Sequence, residues 1–427
     1  MVVIAQWESR NDAAGANFHP VTSAFPPGAQ CGPLEPQDTE WAQGGGFATE
    51  TQIWYNVFDN GVFVFCQIIH SSVGLWSPQI QFTCKVFDPA SGEQTWKSAN
   101  VSKFTCPPPP SGSRVYDKRS AQSEKFRVIH TPATETAPEQ YRVDATPDNG
   151  LQVSLTVQRP PTIPGYKLGA GPRGGMSYFG DEERPDGFVV HRFWPRTVSS
   201  GVVMVNGKAY DAKGHGMFVH AIQGMRPNLV AQRWKFGLFI SPGDVLGGVS
   251  ALQMEFETTE AYGRRKVEGE KLQGEVQVNV GCVVAQDKLV LATGETRWAD
   301  EREGDKTGVL SRADYEVALD DETGYKVPTS IQWTWKGPAA DGDKGEVTAR
   351  IKSEFGAPTK PNGLLEKVDV LGEMPYMVRK LVNYAAGVKP YIYQYFNPAT
   401  IEVTLPGKEP QTIEGVLFNE ASFISNP

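Results

Sequence analysis

The side chains best suited to acid–base, nucleophilic or metal chemistry are scattered along the sequence. Six histidines occur, His19, His70, His130, His191, His215 and His220. None stands in an HxH or HExxH spacing or beside a cysteine pair, so no zinc site is assigned. His70, His191 and His220 each fall inside apolar, strand-like runs, where a hydrogen-bonded wall histidine is a plainer role than a general base. His215 and His220, five apart on one such run, should point to opposite faces. The five cysteines (Cys31, Cys66, Cys84, Cys106 and Cys282) contain no CxxC and read as reduced, mostly buried thiols. No GxSxG elbow is present, and no Ser or Cys stands in a recognisable nucleophile pattern. Gly169-Ala-Gly171-Pro-Arg-Gly174 spells GxGxxG, but Pro172 interrupts it and no helical pattern follows, so it reads as a glycine loop. No catalytic residue, metal or cofactor is assigned.

What remains is aromatic: 10 Trp, 14 Tyr and 21 Phe, many on strand-like runs. Trp54, Tyr55, Phe193, Trp194, Phe218, Trp234, Phe236, Trp333 and Trp335 would give a barrel interior wide apolar walls. A barrel of about eight strands can hold one small ligand. With Arg196, His220 and Gln223 nearby, an apolar small-molecule pocket is a candidate.

The elements that would position these residues are almost all strands. TQIWYNVF, Asp59-Asn60-Gly61 and GVFVFCQIIHSS read as two strands joined by a tight turn, and VVMV-Asn206-Gly207-KAY carries another hairpin signal. About fifteen strands recur at intervals of roughly ten to fifteen residues, which indicates antiparallel barrels or sandwiches rather than βαβ units. One helix is predicted, from Pro375 to Ala386, with Gly387 to end it. So many strands call for two β-domains, 41–225 and 226–427, behind an irregular leader over 1–40. PPPPSGS (107–113) and 159–175 read as loops, and the stretches at 300–306 and 339–345 as hairpin loops. A formal charge of −8 leaves no footprint for nucleic acid. No apolar run reaches the roughly 18 residues needed to span a bilayer. The opening MVVIAQWESRNDAAG lacks the basic and small-residue features of a secretory signal.

The segment GMFVHAIQGMRPNLVAQRWKF (216–236) joins two strand patterns through a Gly-Met-Arg-Pro break. Gly224 would supply an unusual backbone angle there and Pro227 would end ladder pairing, so the chain should leave one barrel and enter the next. Ligand sites favour domain interfaces and barrel mouths. The predicted ligand-binding set is therefore Trp194, Arg196, His220, Gln223, Arg226 and Trp234. The alternative is that these residues weld the domains, with Arg196 and Arg226 satisfying buried carbonyls.

These same segments carry a resemblance. SYFG (177–180), HRFWPR (191–196), 216–236, the tail KVDVLGEMPYMVRKLVNYAAGVKPYIYQYFNP (367–398), GVLFNEASFIS (415–425) and ETQIWYNVFDNGVFVFCQIIHSSVG (50–74) resemble, in collinear order, those of the fungal survival-factor family. The resemblance implies an all-β chain of two consecutive lipocalin-like domains. It also implies an intracellular lipid-binding role, carrying ceramide between the endoplasmic reticulum and the Golgi, in survival of oxidative stress. The implied partners are an apolar small molecule or ceramide-like lipid and, peripherally, endoplasmic reticulum or Golgi membranes. The expected location is cytoplasmic. The first fifteen residues match the family's amphipathic N-terminal helix poorly, and RRKVEGEKLQG (264–274) is unusual. A diverged member could instead be an enzyme of fungal secondary metabolism, a pericyclase, cyclase or isomerase. Such an enzyme shapes a bound polyene or terpenoid and excludes water without a catalytic triad.

Overall fold

The computed structural model describes residues 15–424 apart from 24, 26–28, 75–76, 244, 268–269, 300, 302–307, 341, 343 and 374–388. Eighteen strands form the frame. The first nine are β1 (Gly46–Phe58), β2 (Phe63–Gly74), β3 (Gln79–Asp88), β4 (Glu93–Val101), β5 (Phe126–Thr131), β6 (Gln140–Asp148), β7 (Leu151–Gln158), β8 (Pro185–Val205) and β9 (Gly214–Gln223). The second nine are β10 (Arg233–Ile240), β11 (Ser250–Glu257), β12 (Val276–Ala285), β13 (Lys288–Trp298), β14 (Leu310–Leu319), β15 (Lys326–Pro338), β16 (Glu346–Glu354), β17 (Tyr391–Thr404) and β18 (Gln411–Phe423).

The two sets have one topology. The first sheet runs β4-β3-β2-β1-β9-β8-β7-β6-β5 and the second β13-β12-β11-β10-β18-β17-β16-β15-β14. In each half the first strand pairs the last, and among the described residues the one unpaired junction lies between the fourth and fifth strands. Each half is thus an up-and-down antiparallel sheet curled on itself, the lipocalin-like arrangement expected for both domains. The sheets change over between Gln223 and Arg233, where one short helical turn, Pro227–Val230, intervenes.

Local chemistry explains the turns. Asn206 and Gly207 take φ of 49° and 85°, which a two-residue hairpin matching the strand twist requires. At the β1–β2 turn Gly61 is at φ 84°, and the Val62 N–H donates to Asn60 Oδ1 at 3.1 Å. Residues 339–345 close the β15–β16 hairpin as expected. Of the other charged stretch, 300 and 302–306 lie outside the described residues; it falls between β13 and β14, the two edges of the second sheet. Side chains bridge those edges where the backbones do not pair. Glu295 accepts from Arg312 Nη2 at 2.8 Å and from the Ser311 N–H at 2.9 Å, and Thr293 Oγ1 donates to Ser311 Oγ at 3.0 Å.

Three apolar layers result. One fills the first barrel around Trp54, Tyr141, Trp194 and Phe218. Another fills the second around Trp333, Trp335, Tyr393 and Tyr395. Between them the outer faces of the two sheets pack together: Phe63 lies 5.0 Å from Phe396 and 4.9 Å from Phe418, and Tyr55 lies 5.3 Å from Phe236, between ring centroids. The expected leader includes paired chain: Phe18–His19 pairs Met176–Gly180, and Cys31–Pro33 pairs Tyr166–Leu168. No described helix is long and apolar enough to cross a membrane. The predicted helix Pro375–Ala386 lies outside the described residues, as does 1–14.

Candidate functional site

The interior of the first barrel is built in rows, because same-face residues on neighbouring strands sit opposite one another. On β1 the inward residues are Glu50, Gln52, Trp54, Asn56 and Phe58, all buried. Gln52 is in register with His220 of β9, and His220 with Arg192 of β8. Trp54 aligns with Phe218 and then Trp194, and Asn56 with Gly216 and then Thr197. The barrel therefore passes from a charged end, through an aromatic belt, to a second polar row.

The charged end is shut by the segment Asp38–Gln43. Asp38 binds Lys167 at 2.7 Å and Arg192 at 3.1 Å. His220 places Nδ1 at 2.8 Å from the Asp38 carbonyl oxygen and Nε2 at 2.8 Å from Glu50 Oε1. Both neighbours, a carbonyl and a carboxylate oxygen, only accept. Glu50 also accepts the Ala42 and Gln43 N–H groups, each at 2.8 Å. Burial pushes its carboxyl up, but the His220 hydrogen bond and charge and these two amides outweigh burial and hold it below the usual value. In the aromatic belt Tyr141 lies 4.8 Å from Phe218 and 5.0 Å from Trp194, and Trp54 lies 5.4 Å from Tyr141.

The structure separates the six predicted ligand residues into distinct surroundings. His220 belongs to the charged end and Trp194 to the aromatic belt. Arg196 leaves the barrel: its guanidinium donates to the Ser241 and Val249 carbonyls, both at 3.2 Å, and to Ser250 Oγ at 2.8 Å, in the other half. Burial lowers its pKa to about 10. Trp234 lies in the layer between the halves, 5.7 Å from His191 and 5.0 Å from Phe256. There burial holds His191 at about 3, so its ring is neutral. Gln223 ends β9, half-buried opposite Thr49 and Val189. Arg226 lies over the Phe47 ring at 4.1 Å. Gly224 has no left-handed φ. A Cβ there would come within 2.4 Å of the Phe188 ring, so close packing selects this glycine.

Two further features mark the seam. Lys85 of β3 donates to Glu366 Oε2 and Gln394 Oε1, both at 2.6 Å, and Gln394 donates to Glu420 at 2.8 Å. Burial lowers the Lys85 pKa to about 8 against the pull of Glu366 and Glu420, and burial raises the Glu420 carboxyl. An open groove of about 430 Å³, lined by Cys31, Pro164, Asp287 and Leu289 among others, also lies between the halves, and none of the six predicted residues lines it.

The interior residues that the sequence reading missed are Asp38, Glu50, Gln52, Asn56, Lys167 and Thr197. For Glu50, Gln52 and Asn56 the signal lies in ETQIWYNVF, whose alternate residues are polar, polar, aromatic and polar. That pattern reads as a solvent face until the opposite face, Ile53, Tyr55 and Val57, is seen to pack against a second sheet.

This arrangement has known counterparts. The ceramide-binding protein svf-1 of Neurospora crassa is 32% identical over 395 residues, covering 91% of this chain and 88% of the relative. The ceramide-binding protein svf1 of Emericella nidulans is 31% identical over 398 residues, covering 92% and 90%. Among solved structures, kievitone hydratase from Nectria haematococca aligns with a TM-score of 0.48 at 9% identity, covering 96% of this chain and 99% of that one. The Svf1 family profile matches residues 4–425, so every strand of both barrels lies within it, and the chain belongs to the Svf1 family.

Proposed function

We propose that this chain binds a ceramide-like lipid and transfers it between membranes, as an intracellular factor in oxidative-stress survival. The observation that carries the reading is the pair of relatives named for ceramide binding, each about 30% identical and collinear over nine-tenths of the chain. Curled sheets with aromatic interiors support it, since each methylene taken from water contributes roughly 0.8 kcal/mol. On this reading the protein works in the cytoplasm and touches endoplasmic reticulum or Golgi membranes peripherally.

The test is native mass spectrometry after incubation with phosphatidylcholine vesicles containing a long-chain ceramide. A one-to-one adduct of unchanged ceramide, delivered on to acceptor vesicles, is the expected result. No adduct would overturn the binding reading. An adduct without delivery would remove the transfer step. A bound compound of altered structure would favour the enzyme of secondary metabolism instead.

A further inference from the structure

The edges of the first sheet, β4 and β5, are joined by a long link over 102–125. Its regular pieces are one two-residue strand, Ala121–Gln122, and two isolated bridges, Thr105 with Gln122 and Ser111 with Arg114. Connections beyond about 15 residues with so little regular structure are uncommon in compact domains and usually serve a function.

Charge is uneven here. The chain is −8 overall, yet residues 101–130 hold six basic and two acidic side chains, a net of +4. Both acids are engaged within the fold. Asp117 binds Arg119 at 2.8 Å and lies 2.9 Å from His130 Nδ1, and Glu124 accepts the Ser102 N–H at 2.8 Å. Arg114, Lys118 and Arg127 are exposed. Arg114 and Arg127 each lie 5.2 Å from the centre of the Tyr116 ring, and Arg127 Nη2 donates to the Tyr116 hydroxyl at 2.6 Å. Asp144, opposite Arg127 in register, pairs Arg142 at 2.9 Å.

Beside these cations the link projects an apolar tip. Val115 is 79% exposed, more than any other large apolar side chain among the described residues. It follows a tight turn in which the Ser111 N–H donates to the Arg114 carbonyl at 3.0 Å and the Arg114 N–H to the Ser111 carbonyl at 3.1 Å. Pro107 to Pro110 lead into that turn, exposed except at Pro108. Each proline fixes its own φ, so the tip has little chain entropy left to lose on contact. The base is anchored, because the Trp41 N–H and Cys106 Sγ donate to the Lys118 carbonyl at 3.0 and 3.2 Å.

We propose that 107–118, with Arg127 beside it, is the arm by which the protein docks on membranes containing anionic phospholipid. The proposal rests on the peripheral membrane contact in the lipid-transfer reading above and gives that contact a surface. Val115 enters the interface, while Arg114, Lys118 and Arg127 meet lipid phosphates. The acidic remainder of the chain is repelled by the same lipids, so the patch also sets the orientation of docking.

The test is cosedimentation of the full chain with vesicles of phosphatidylcholine alone or mixed with phosphatidylserine. Wild type should bind the mixed vesicles well above the neutral ones and be released as salt rises. Arg114→Gln with Lys118→Gln should weaken binding about fivefold for each charge removed. Val115→Ser should weaken it about fivefold through lost apolar area. Arg114→Lys should bind as wild type, since the lipid surface reads charge rather than guanidinium shape. Melting temperatures should not change, because these side chains are exposed. Ceramide uptake from a cyclodextrin complex should be the same in every variant, which separates docking from lipid binding. Equal vesicle binding by wild type and the weakened variants would overturn the arm and leave membrane contact to another surface. Equal binding of wild type to neutral and anionic vesicles would also overturn it. No binding of wild type to either vesicle would overturn the arm and the peripheral contact together.

Discussion

Trp194 and Arg196 lie two residues apart on one strand, yet their side chains serve different halves of the molecule. Four residues of β8, Trp194 to Thr197, span the same register as three of β9, Phe218 to Gly216. The extra residue is a bulge, and it turns Arg196 out of the barrel that holds Trp194. Arg196 then reaches Ser241, Val249 and Ser250, and becomes a clamp between the halves.

Arg196→Ala should therefore cost about 2–4 kcal/mol, since it strands buried acceptors and removes charge-assisted hydrogen bonds. Arg196→Lys should recover less than half of that, because one ammonium cannot reproduce the guanidinium fork. Denaturant unfolding of the three proteins checks both statements. Equal stability of wild type and Arg196→Ala would contradict the clamp.

His220→Ala should lose about 3–5 kcal/mol by leaving the Glu50 carboxylate buried without its partner. The double variant His220→Ala with Glu50→Gln should regain part of the loss, because the uncompensated charge is gone. Glu50 sits below its ordinary pKa, so the stability it contributes is present at neutral pH and declines as pH falls through that lowered value. Acid denaturation of wild type against Glu50→Gln would show whether the decline disappears with the carboxyl.

Lys85 gives a slope of the same sign in a higher pH window, as a buried charge whose cost is relieved when it deprotonates. Its folded pKa of about 8 lies below the model-compound 10.5, so between these values the unfolded chain holds more protons. Unfolding free energy should rise with pH across that window, by on the order of 3 kcal/mol from this group alone. Lys85→Met should flatten the rise, and identical pH profiles for the two proteins would refute the assignment.

Glu295 stands in for a missing ladder between β13 and β14. Glu295→Ala should cost about 1–3 kcal/mol and speed hydrogen exchange along both edge strands more than at β10 or β18. A uniform change in exchange would mean that this edge is held elsewhere.

The strand pattern was legible because period-two alternation and the Asn-Gly turn are local signals that the final packing respects. The candidate site was less so. Trp194 and Arg196 should share a face by strand periodicity, and they would without the bulge. Pro195 between them was the available clue, since proline inside a paired strand is tolerated mainly at bulges. Glu50, Gln52 and Asn56 were hidden for a different reason. A strand with one apolar face looks half-exposed, and only the docking of a second sheet on Tyr55 turns its polar face inward.

Pairing of first with last strands also sets a schedule for synthesis. Neither sheet can close until its ninth strand has left the ribosome, so the first barrel completes itself only at Gln223. Its outer aromatics, Tyr55 and Phe63 among them, still lack Phe396 and Phe418, which lie on the last two strands. At ordinary translation rates that surface waits roughly 10–40 s for its cover. A nascent chain in that interval presents a sticky apolar sheet, and its yield in a cell should depend on chaperones that bind such surfaces.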